Sequence, residues 1–594
     1  MDLTVPEWDL SSVYPSFDSG EYRRDCELLK SLIADFEKLL VEMSGASADA
    51  LTAEGLIKLI NALEAANDYA ANLGAYSEAV YTTDTRNERA SAEICRIDAL
   101  RLPLGRDKVI FRNFVAANKE RVLQAAAGSP RLGPYTFFLS ESAEKAAFQM
   151  ESALEDLAND LCRSGGDAWA RLHEALASTA SAVWDAKTGE RKTATELRAL
   201  AHNADRDTRR RAYTAEIEAW KAVEIPMAAA LNGVKGHALT VDRRRGWKSH
   251  LQKSAMQSRI GEKTLQSLIS AIENALPLFR RYLKSKAKLL GIERCAFFDL
   301  FAPINADAGK VWTWEGACDF VTDCFGRFDP AMAGFARTAY AKRWVDAGMR
   351  DGKIGGAYCT SFQLAKESRI LCNFDRTFDS ALTLAHETGH AWHHEVIKEL
   401  PSALAGYPMT LAETASLFAE TLVFEEAVKN AVPSEKLSLI EGSVRDSCQT
   451  LVDILSRYYF ETELLARREN AELSAGELCA MMIDAQKKTY GDGLDAEKLH
   501  PYMWAAKIHY YSPALQFYNY PYAFGHLFAL ALYARGRQDS GFPAVYRALL
   551  EETGRTTAED LALKAGFDIS TADFWQQGIR IIEERILLIE GSAA

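Results

Sequence analysis

Two histidines four residues apart, His386 and His390, have the types and spacing of a hydrolytic metal site. The segment they enclose reads His-Glu-Thr-Gly-His, and the apolar spacing of residues 382–396 predicts an amphipathic helix there. Because residues four apart lie on one face of a helix, the two imidazoles can bind one metal ion together. Glu387 starts from the neighbouring position, where it can act as general base toward a water that a zinc ion activates.

A hydrolytic zinc site uses three protein ligands, and the sequence offers Glu413 as the third. Residues 391–412 supply enough chain for a second helix to turn back and bring this carboxylate opposite the histidines. An alternative stays open, because Thr410 and Glu413 also have the spacing of a capping box, in which the glutamate binds amides of its own helix. Glu420 lies two helical turns after Glu413 and is expected to orient a ligand imidazole.

Other residues of the histidine-containing helix indicate how it is placed. Either Thr377 or Asp379 can cap its amino end. Gly389 lies inside it, where glycine costs about 1 kcal/mol relative to alanine, and the close approach of another backbone would explain its presence. His393 and His394 have no glutamate in the position of a base, so we interpret them as supporting groups of the site or as surface residues.

Most of the remaining chain has a helical apolar period, and one region departs from it. Residues 355–362 and 369–374 read as two short strands joined by a polar turn, directly before the histidine-containing helix. The edge of such a sheet could pair with an extended peptide. A purely structural hairpin beside the helix is the alternative. The sequence therefore predicts a mainly α fold with a small β-sheet next to the metal-binding helix.

Bulk composition narrows the classes of partner and the location. The chain has 594 residues and a net charge of -13, which disfavours nucleic acids and anionic membranes as partners. We see no signal peptide, no apolar window long enough to span a bilayer and no C-x-x-C pair among the ten cysteines, so we expect a cytoplasmic protein with reduced thiols. A polar stretch at residues 186–195 suggests an N-terminal helical domain over residues 1–190 and a catalytic domain over residues 191–594.

Six ordered motifs together resemble the M3 family of zinc metallopeptidases, and most closely its oligoendopeptidase F branch. They read WDLS, GAYC, TLAHETGHAWH, LAETAS, HYYSP and FYNYPY, at residues 8–11, 356–359, 383–393, 411–416, 509–513 and 517–522. The resemblance implies a two-lobed helical ellipsoid of the zincin type with a deep central channel that admits short unstructured peptides. It also implies one Zn²⁺ per chain, bound by His386, His390 and Glu413, with Glu387 as general base.

The resemblance also assigns residues to the substrate. His509 and the tyrosines that follow it are expected to contact the peptide and to stabilise the tetrahedral oxyanion. Alignment favours Tyr520 for the oxyanion, then Tyr518. Residues 512–515 read Ser-Pro-Ala-Leu, a stiffer segment than the glycine-rich loop that often precedes these tyrosines in the family. The residues expected to line the channel and bind the peptide are Gly356, Ala357, Tyr358 and Tyr522.

The function expected from these features is zinc-dependent endopeptidase activity on internal bonds of short, unstructured oligopeptides. A carboxypeptidase or dipeptidase on the same helical scaffold is the alternative. It would need a cationic pocket for the carboxylate at the end of the substrate, for which Lys507, Arg369 and Arg457 are candidates. A more remote alternative is a peptide-binding scaffold without activity, against which the complete set of ligands and base argues.

Overall fold

Helix dominates the computed structural model, which describes residues 5–45, 51–305 and 311–593, and this confirms the mainly α fold. The first twelve helices are α1 (Gly20–Gly45), α2 (Ala53–Thr83), α3 (Glu88–Ala117), α4 (Lys119–Ala127), α5 (Thr136–Ala146), α6 (Ser152–Ser164), α7 (Gly166–Thr179), α8 (Ala194–Ala199), α9 (Arg206–Ala222), α10 (Glu224–Arg244), α11 (His250–Gln257) and α12 (Glu262–Leu289). The others are α13 (Trp314–Phe328), α14 (Pro330–Ala341), α15 (Phe378–Ile397), α16 (Ser402–Ala405), α17 (Met409–Asn430), α18 (Pro433–Cys448), α19 (Ile454–Arg468), α20 (Ala475–Tyr490), α21 (Met503–Ala506), α22 (Tyr520–Gly536), α23 (Phe542–Glu552), α24 (Ala558–Lys564) and α25 (Ala572–Ala593).

The chain forms two compact units, each assembled from segments that are distant in sequence. Unit 1 comprises Met1–Ser152, Gly309–Glu426 and Arg535–Gly566, and unit 2 comprises Ala153–Ala308, Ala427–Ala534 and Phe567–Ala594. The predicted boundary between residues 190 and 191 divides the chain into two consecutive segments, whereas each compact unit combines three separate segments. That boundary stays a prediction. The central channel implied by the resemblance stays a prediction as well.

Unit 1 is organised around apolar faces of α1, α2, α3 and α5, which pack on one another. In α1 the buried residues Leu29, Ile33, Phe36 and Leu40 recur at three- and four-residue spacing, as a helix with one apolar face requires. The same apolar cluster includes Phe362 of the neighbouring sheet, so this core also anchors the strands beside α15.

Two small sheets complete the fold. In unit 1, β3 (Val345–Asp346), β4 (Tyr358–Phe362) and β5 (Glu367–Leu371) form a sheet of order β3-β5-β4, with β4 antiparallel to β5 and β3 parallel to it. This sheet packs on α15, which confirms the sheet predicted next to that helix. In unit 2, β1 (Ser181–Asp185) and β2 (Glu190–Thr193) form an antiparallel hairpin.

Helix α15 begins where the sequence predicts, and the Thr377 side chain accepts a hydrogen bond from the Ser380 amide at 3.2 Å. The interpretation of His393 and His394 as surface residues is wrong, because both are buried. His393 Nε2 lies 2.9 Å from Oγ1 of Thr553, the residue that follows α23. His394 Nδ1 lies 3.0 Å from Oγ of Ser368 in β5. These two histidines therefore fasten α15 to its neighbours.

Unit 2 packs α12 on α25, α7 on α10 and α19 on α20. In the described ranges, no helix has both the length and the apolar content needed to cross a bilayer. All ten cysteines are free and only Cys95 is exposed, as expected for reduced and mostly buried thiols.

Candidate metal centre and active site

Three predicted ligand atoms converge in unit 1. Glu413 Oε2 lies 3.3 Å from His386 Nε2 and 3.6 Å from His390 Nε2, and the three ligand atoms all lie within 4.8 Å of one another. Ligands about 2.0–2.2 Å from a tetrahedral metal are roughly 3.3–3.6 Å from each other, so this triangle fits one ion. It is the one group of histidine, cysteine and acidic side chains with such convergence among the residues that the structure describes.

Two helices position these ligands. His386 and His390 lie on successive turns of α15, with ring centroids 5.0 Å apart, and Glu413 lies on α17. The capping-box interpretation requires Thr410 to precede the first helical residue, whereas α17 begins at Met409. The Glu413 carboxylate instead faces the histidines and accepts a hydrogen bond from Ser416 at 2.8 Å.

Gly389 allows α17 to approach α15 closely, as its place in the sequence suggested. A Cβ on Gly389 would lie 2.6 Å from the Ala415 carbonyl oxygen, 2.7 Å from Ser416 Cα and 2.8 Å from Ala419 Cβ. Real Cβ atoms essentially never make such contacts, and the three opposing atoms are two backbone atoms and the methyl carbon of an alanine, none of which can rotate away. A glycine is therefore needed for the spacing that brings Glu413 to the two imidazoles.

A second carboxylate of α17 orients one of the ligands. His386 Nδ1 donates a hydrogen bond to Glu420 Oε2 at 3.1 Å. This bond leaves Nε2 as the ring atom that faces Glu413, which is the tautomer a metal ligand needs. Glu420 thus lies where the sequence places a group that supports His386.

The electrostatics of the triangle favour a cation. Burial opposes protonation of His386, yet hydrogen bonds to Glu413 and Glu420 raise its pKa to about 10. Burial also raises the pKa of Glu413, but its contacts with His386 and His390 outweigh this and hold the pKa at about 2. Burial and the neighbouring His386 lower the pKa of His390 to about 4. Two carboxylates thus surround a site in which positive charge is stabilised.

Glu387 is buried beside the ligands and has a carboxylate oxygen without a hydrogen bond. Its side chain is 6 % exposed, and within the described part of the chain Oε2 has no partner. Burial, with smaller contributions from Glu413 and Glu420, raises its pKa to about 7 against the opposing effect of His386. A carboxylate with this pKa can both accept and return a proton near neutral pH.

The residues predicted to bind the peptide in unit 1 lie at the start of β4. The strand itself begins at Tyr358, whose hydroxyl lies 2.6 Å from Thr82 Oγ1, and Gly356 and Ala357 precede it. Gly356 has a φ of +81°, which favours glycine, and its carbonyl accepts a hydrogen bond from Asn373 at 2.9 Å. Because the strand order is β3-β5-β4, β4 is an edge strand of this sheet.

In unit 2, three of the predicted substrate-contacting rings form a cluster. The ring of His509 stacks on Tyr518 at 5.3 Å and meets Tyr522 edge-on at 5.9 Å, and the two tyrosine rings are 5.6 Å apart. All three side chains are partly exposed. Tyr520 differs, because it is fully buried and its hydroxyl exchanges hydrogen bonds with Ser254 and Ser258 at 3.0 and 2.9 Å.

Buried polar contacts hold the segment that carries Tyr518, and sequence reasoning missed them. Asn519 donates to Glu461 at 3.0 Å, and Lys235 donates to the same carboxylate at 2.7 Å. All three are at most 4 % exposed, while Phe517 adopts a φ of +56° that non-glycine residues rarely take. Lys235 and Glu461 are charged residues among the apolar positions of α10 and α19, and this was the sequence signal that could have revealed the contacts. The segment is therefore held in one strained conformation.

Residues 328–581 match the family model described as peptidase family M3. Group B oligopeptidase PepB of Streptococcus agalactiae is 26% identical over 402 residues, which are 66% of this chain and 66% of that protein. Oligopeptidase PepF of Bacillus subtilis is 26% identical over 387 residues, which are 64% of this chain and 57% of that protein. The matched part thus spans no more than about two thirds of either relative.

A solved structure extends the similarity in fold over nearly the whole chain. The crystal structure of oligoendopeptidase-F from Enterococcus faecium superposes with a TM-score of 0.70 and covers 96% of this chain and 98% of its own. Sequence identity in this superposition is 17%, so the likeness bears on the fold.

Proposed function

This chain belongs to peptidase family M3, in its oligoendopeptidase F branch, and we propose that it is a zinc-dependent endopeptidase that cleaves internal bonds of short, unstructured peptides. The observation that carries the proposal is the convergence of His386, His390 and Glu413 next to Glu387, a buried glutamate with an unpaired carboxylate oxygen. Hydrolysis by a zinc protease needs three ligands and a base in this arrangement.

The metal would be held by His386 and His390 from α15 and by Glu413 from α17. Two neutral imidazoles and one carboxylate suit Zn²⁺, and Glu420 supports His386 through its hydrogen bond to Nδ1. When bound, the ion would polarise the scissile carbonyl and make a water acidic enough to lose its proton near pH 7.

Glu387 would move the proton during the reaction. Its buried carboxylate accepts the proton of the attacking water and then donates it to the amine that leaves. The unpaired Oε2 leaves a position for that proton, and the pKa of about 7 keeps both directions of transfer accessible.

Tyr518, rather than Tyr520, is the donor that we propose for the oxyanion. The Tyr520 hydroxyl is buried and bound to two serines, whereas the Tyr518 side chain is partly exposed, and within the described ranges its hydroxyl has no hydrogen-bond partner. His509 and Tyr522 contact the Tyr518 ring and would position it. A hydroxyl aimed at developing negative charge contributes about 10²–10³ to kcat in such sites.

The peptide would bind as an added strand along β4. An edge strand offers unpaired backbone groups, and Gly356, Ala357 and Tyr358 lie at the end of β4 where the strand begins. Backbone pairing tolerates many sequences, in keeping with substrates that are short and unstructured. We also retain the prediction of a cytoplasmic location.

Of the three candidates for the cationic pocket of an exopeptidase, Arg369 is already engaged. Its guanidinium donates to Glu367, Ser12 and the Asp9 carbonyl, and its side chain is 1% exposed. Arg369 therefore has no free donor face for a substrate carboxylate, and a carboxypeptidase or dipeptidase would have to use Lys507 or Arg457 instead.

The test is cleavage of internally quenched peptides that are blocked at both ends, with metal content measured on the same preparations. Wild-type protein loaded with Zn²⁺ should cleave them at internal bonds, and a chelator should abolish cleavage. Glu387→Gln should bind zinc and lose at least about 10³-fold in kcat, since the base is removed. Glu395→Gln, a partly exposed glutamate on the same helix, is the matched control and should leave cleavage unchanged.

Three outcomes would count against the proposal. An exopeptidase would leave the doubly blocked peptides intact while trimming unblocked ones. Equal cleavage by wild type and Glu387→Gln would remove Glu387 from the role of base. Binding of peptides without any cleavage by the zinc-loaded protein would indicate a scaffold without activity.

A further inference from the structure

A lysine in unit 2 has a positive charge without a counterion. Lys507 is partly buried just after α21, two residues before His509. Among the described residues none forms a hydrogen bond or an ion pair with its ammonium group. A partly buried ammonium has lost some of its water without gaining acceptors, which is unfavourable unless a ligand supplies them.

The acidic groups near Lys507 are already paired with arginines. Arg457 donates twice to Asp453 Oδ2, at 2.8 and 2.5 Å. Arg198 donates twice to Glu216 Oε1, at 2.9 and 2.5 Å. Each ion pair is neutral within itself, so neither carboxylate is left over to neutralise Lys507, whose charge is the surplus in the cluster.

The positive charges of Lys507 and Arg457 also act on His509, which belongs to the cluster of predicted substrate-contacting rings. Burial and then Arg457 lower the pKa of Lys507, against the opposing effect of Asp453, to about 7. Burial, then Arg457 and Lys507, lower the pKa of His509 to about 4. Arg457 and Lys507 both act on His509, and among the described residues no acidic side chain pairs with it.

An irregular helical turn and a buried tyrosine hydroxyl both neighbour Arg457. Asp453 ends a π-helical turn, Gln449–Asp453, between α18 and α19, and such turns are concentrated at functional sites. The hydroxyl of Tyr510 is buried with no partner in the described ranges, and the charge of Arg457 acts on it.

We propose that Lys507 binds a carboxylate of the peptide substrate, either the carboxylate at the end of the peptide or an acidic side chain. The inference rests on the proposed function, in which His509 and Tyr518 contact the substrate. Two residues of chain span at most roughly 7 Å, so a peptide that touches His509 is within reach of the Lys507 side chain. A carboxylate would supply the acceptors that the ammonium lacks and would cancel the surplus charge.

The test uses four internally quenched peptides of one sequence. They carry either Asp or Asn at one position on the carboxyl side of the cleaved bond, and either a free carboxylate or an amide at the end. Zinc-loaded wild type, Lys507→Met and Lys507→Arg are compared by kcat and KM. Lys498→Met is the matched control, because it removes the same charge from an exposed lysine of unit 2 that pairs with Asp495.

For wild type, we expect KM to rise at least tenfold for the peptide without either carboxylate, with kcat changed less. The carboxylate whose presence alone restores the low KM, either the Asp side chain or the end of the peptide, is the one that Lys507 binds. Lys507→Met should show one high KM for all peptides, Lys507→Arg should keep most of the discrimination, and Lys498→Met should behave as wild type.

Two results would overturn the inference. Wild type could cleave all four peptides with the same KM, or Lys507→Met could slow all four by the same factor in kcat, which a purely structural role would produce. Cleavage of none of the four by zinc-loaded wild type would refute the proposed function itself, and the inference with it. The failures are therefore distinguishable.

Discussion

Replacing Gly389 by alanine tests whether the packing of α17 on α15 sets the geometry of the metal site. The added Cβ would lie 2.6–2.8 Å from three atoms of α17. Carbon atoms pack at about 3.5–4.0 Å, so α17 would have to move by roughly 0.8 Å. Glu413, on the same helix, would move with it. Metal sites tolerate displacements of only about 0.2 Å in ligand distance, so the triangle would be disturbed.

The expected effects on stability and on activity differ in size. Alanine gains about 1 kcal/mol in helix propensity over glycine, and overpacking costs about 1–3 kcal/mol, so the free energy of unfolding should fall by about 0–2 kcal/mol. Activity should suffer more, because a displacement near 1 Å in an active site can reduce the rate about 100-fold. Zinc affinity should weaken by about 10–100-fold, as when a group that supports a ligand is changed.

The assay compares Gly389→Ala with Gly334→Ala. A Cβ on Gly334, in α14, meets no neighbouring atom within 4 Å, so that variant gains helix propensity without a clash. It should melt slightly higher than wild type and keep full activity and zinc affinity. If Gly389→Ala also kept activity and zinc affinity within about threefold of wild type, with kcat/KM as the measure, the argument that this glycine sets the ligand spacing would be wrong.

Three further predictions follow from individual contacts. Glu420→Ala removes the acceptor of His386 Nδ1 and should weaken zinc affinity about 10–100-fold in a chelator competition, with little change in melting temperature; an unchanged affinity would remove its supporting role. Tyr518→Phe should lower kcat about 10²-fold or more, whereas Tyr520→Phe should cost about 1–3 kcal/mol in unfolding free energy and spare kcat; the reverse pattern would restore Tyr520 as oxyanion donor. Glu64 is buried in the unit 1 core, and burial raises its pKa to about 7 from 4.5, so the folded state prefers the protonated form. Wild type should therefore lose roughly 1–3 kcal/mol relative to Glu64→Gln as the pH rises from about 4.5 to about 7, measured by denaturant unfolding, and a pH-independent difference would contradict this.

Features that depend on local geometry could be predicted from the amino-acid sequence. The helix that places His386 and His390 on one face, its cap at Thr377 and the adjacent hairpin all follow from spacings of a few residues, which backbone geometry converts directly into positions. The close backbone approach at Gly389 was also foreseeable, because a glycine inside a helix needs a reason of this kind.

Features that depend on packing between distant segments could not be predicted in this way. Whether Glu413 faces the histidines or caps its own helix is settled by the contact of α17 with α15, since both alternatives have the same local sequence. The burial of the Tyr520 hydroxyl against two serines, and the lack of any partner for Lys507 in the described part of the chain, likewise arise from neighbours far away in sequence. Local periodicity constrains which face a residue occupies, but what lies opposite that face is set by how the segments pack.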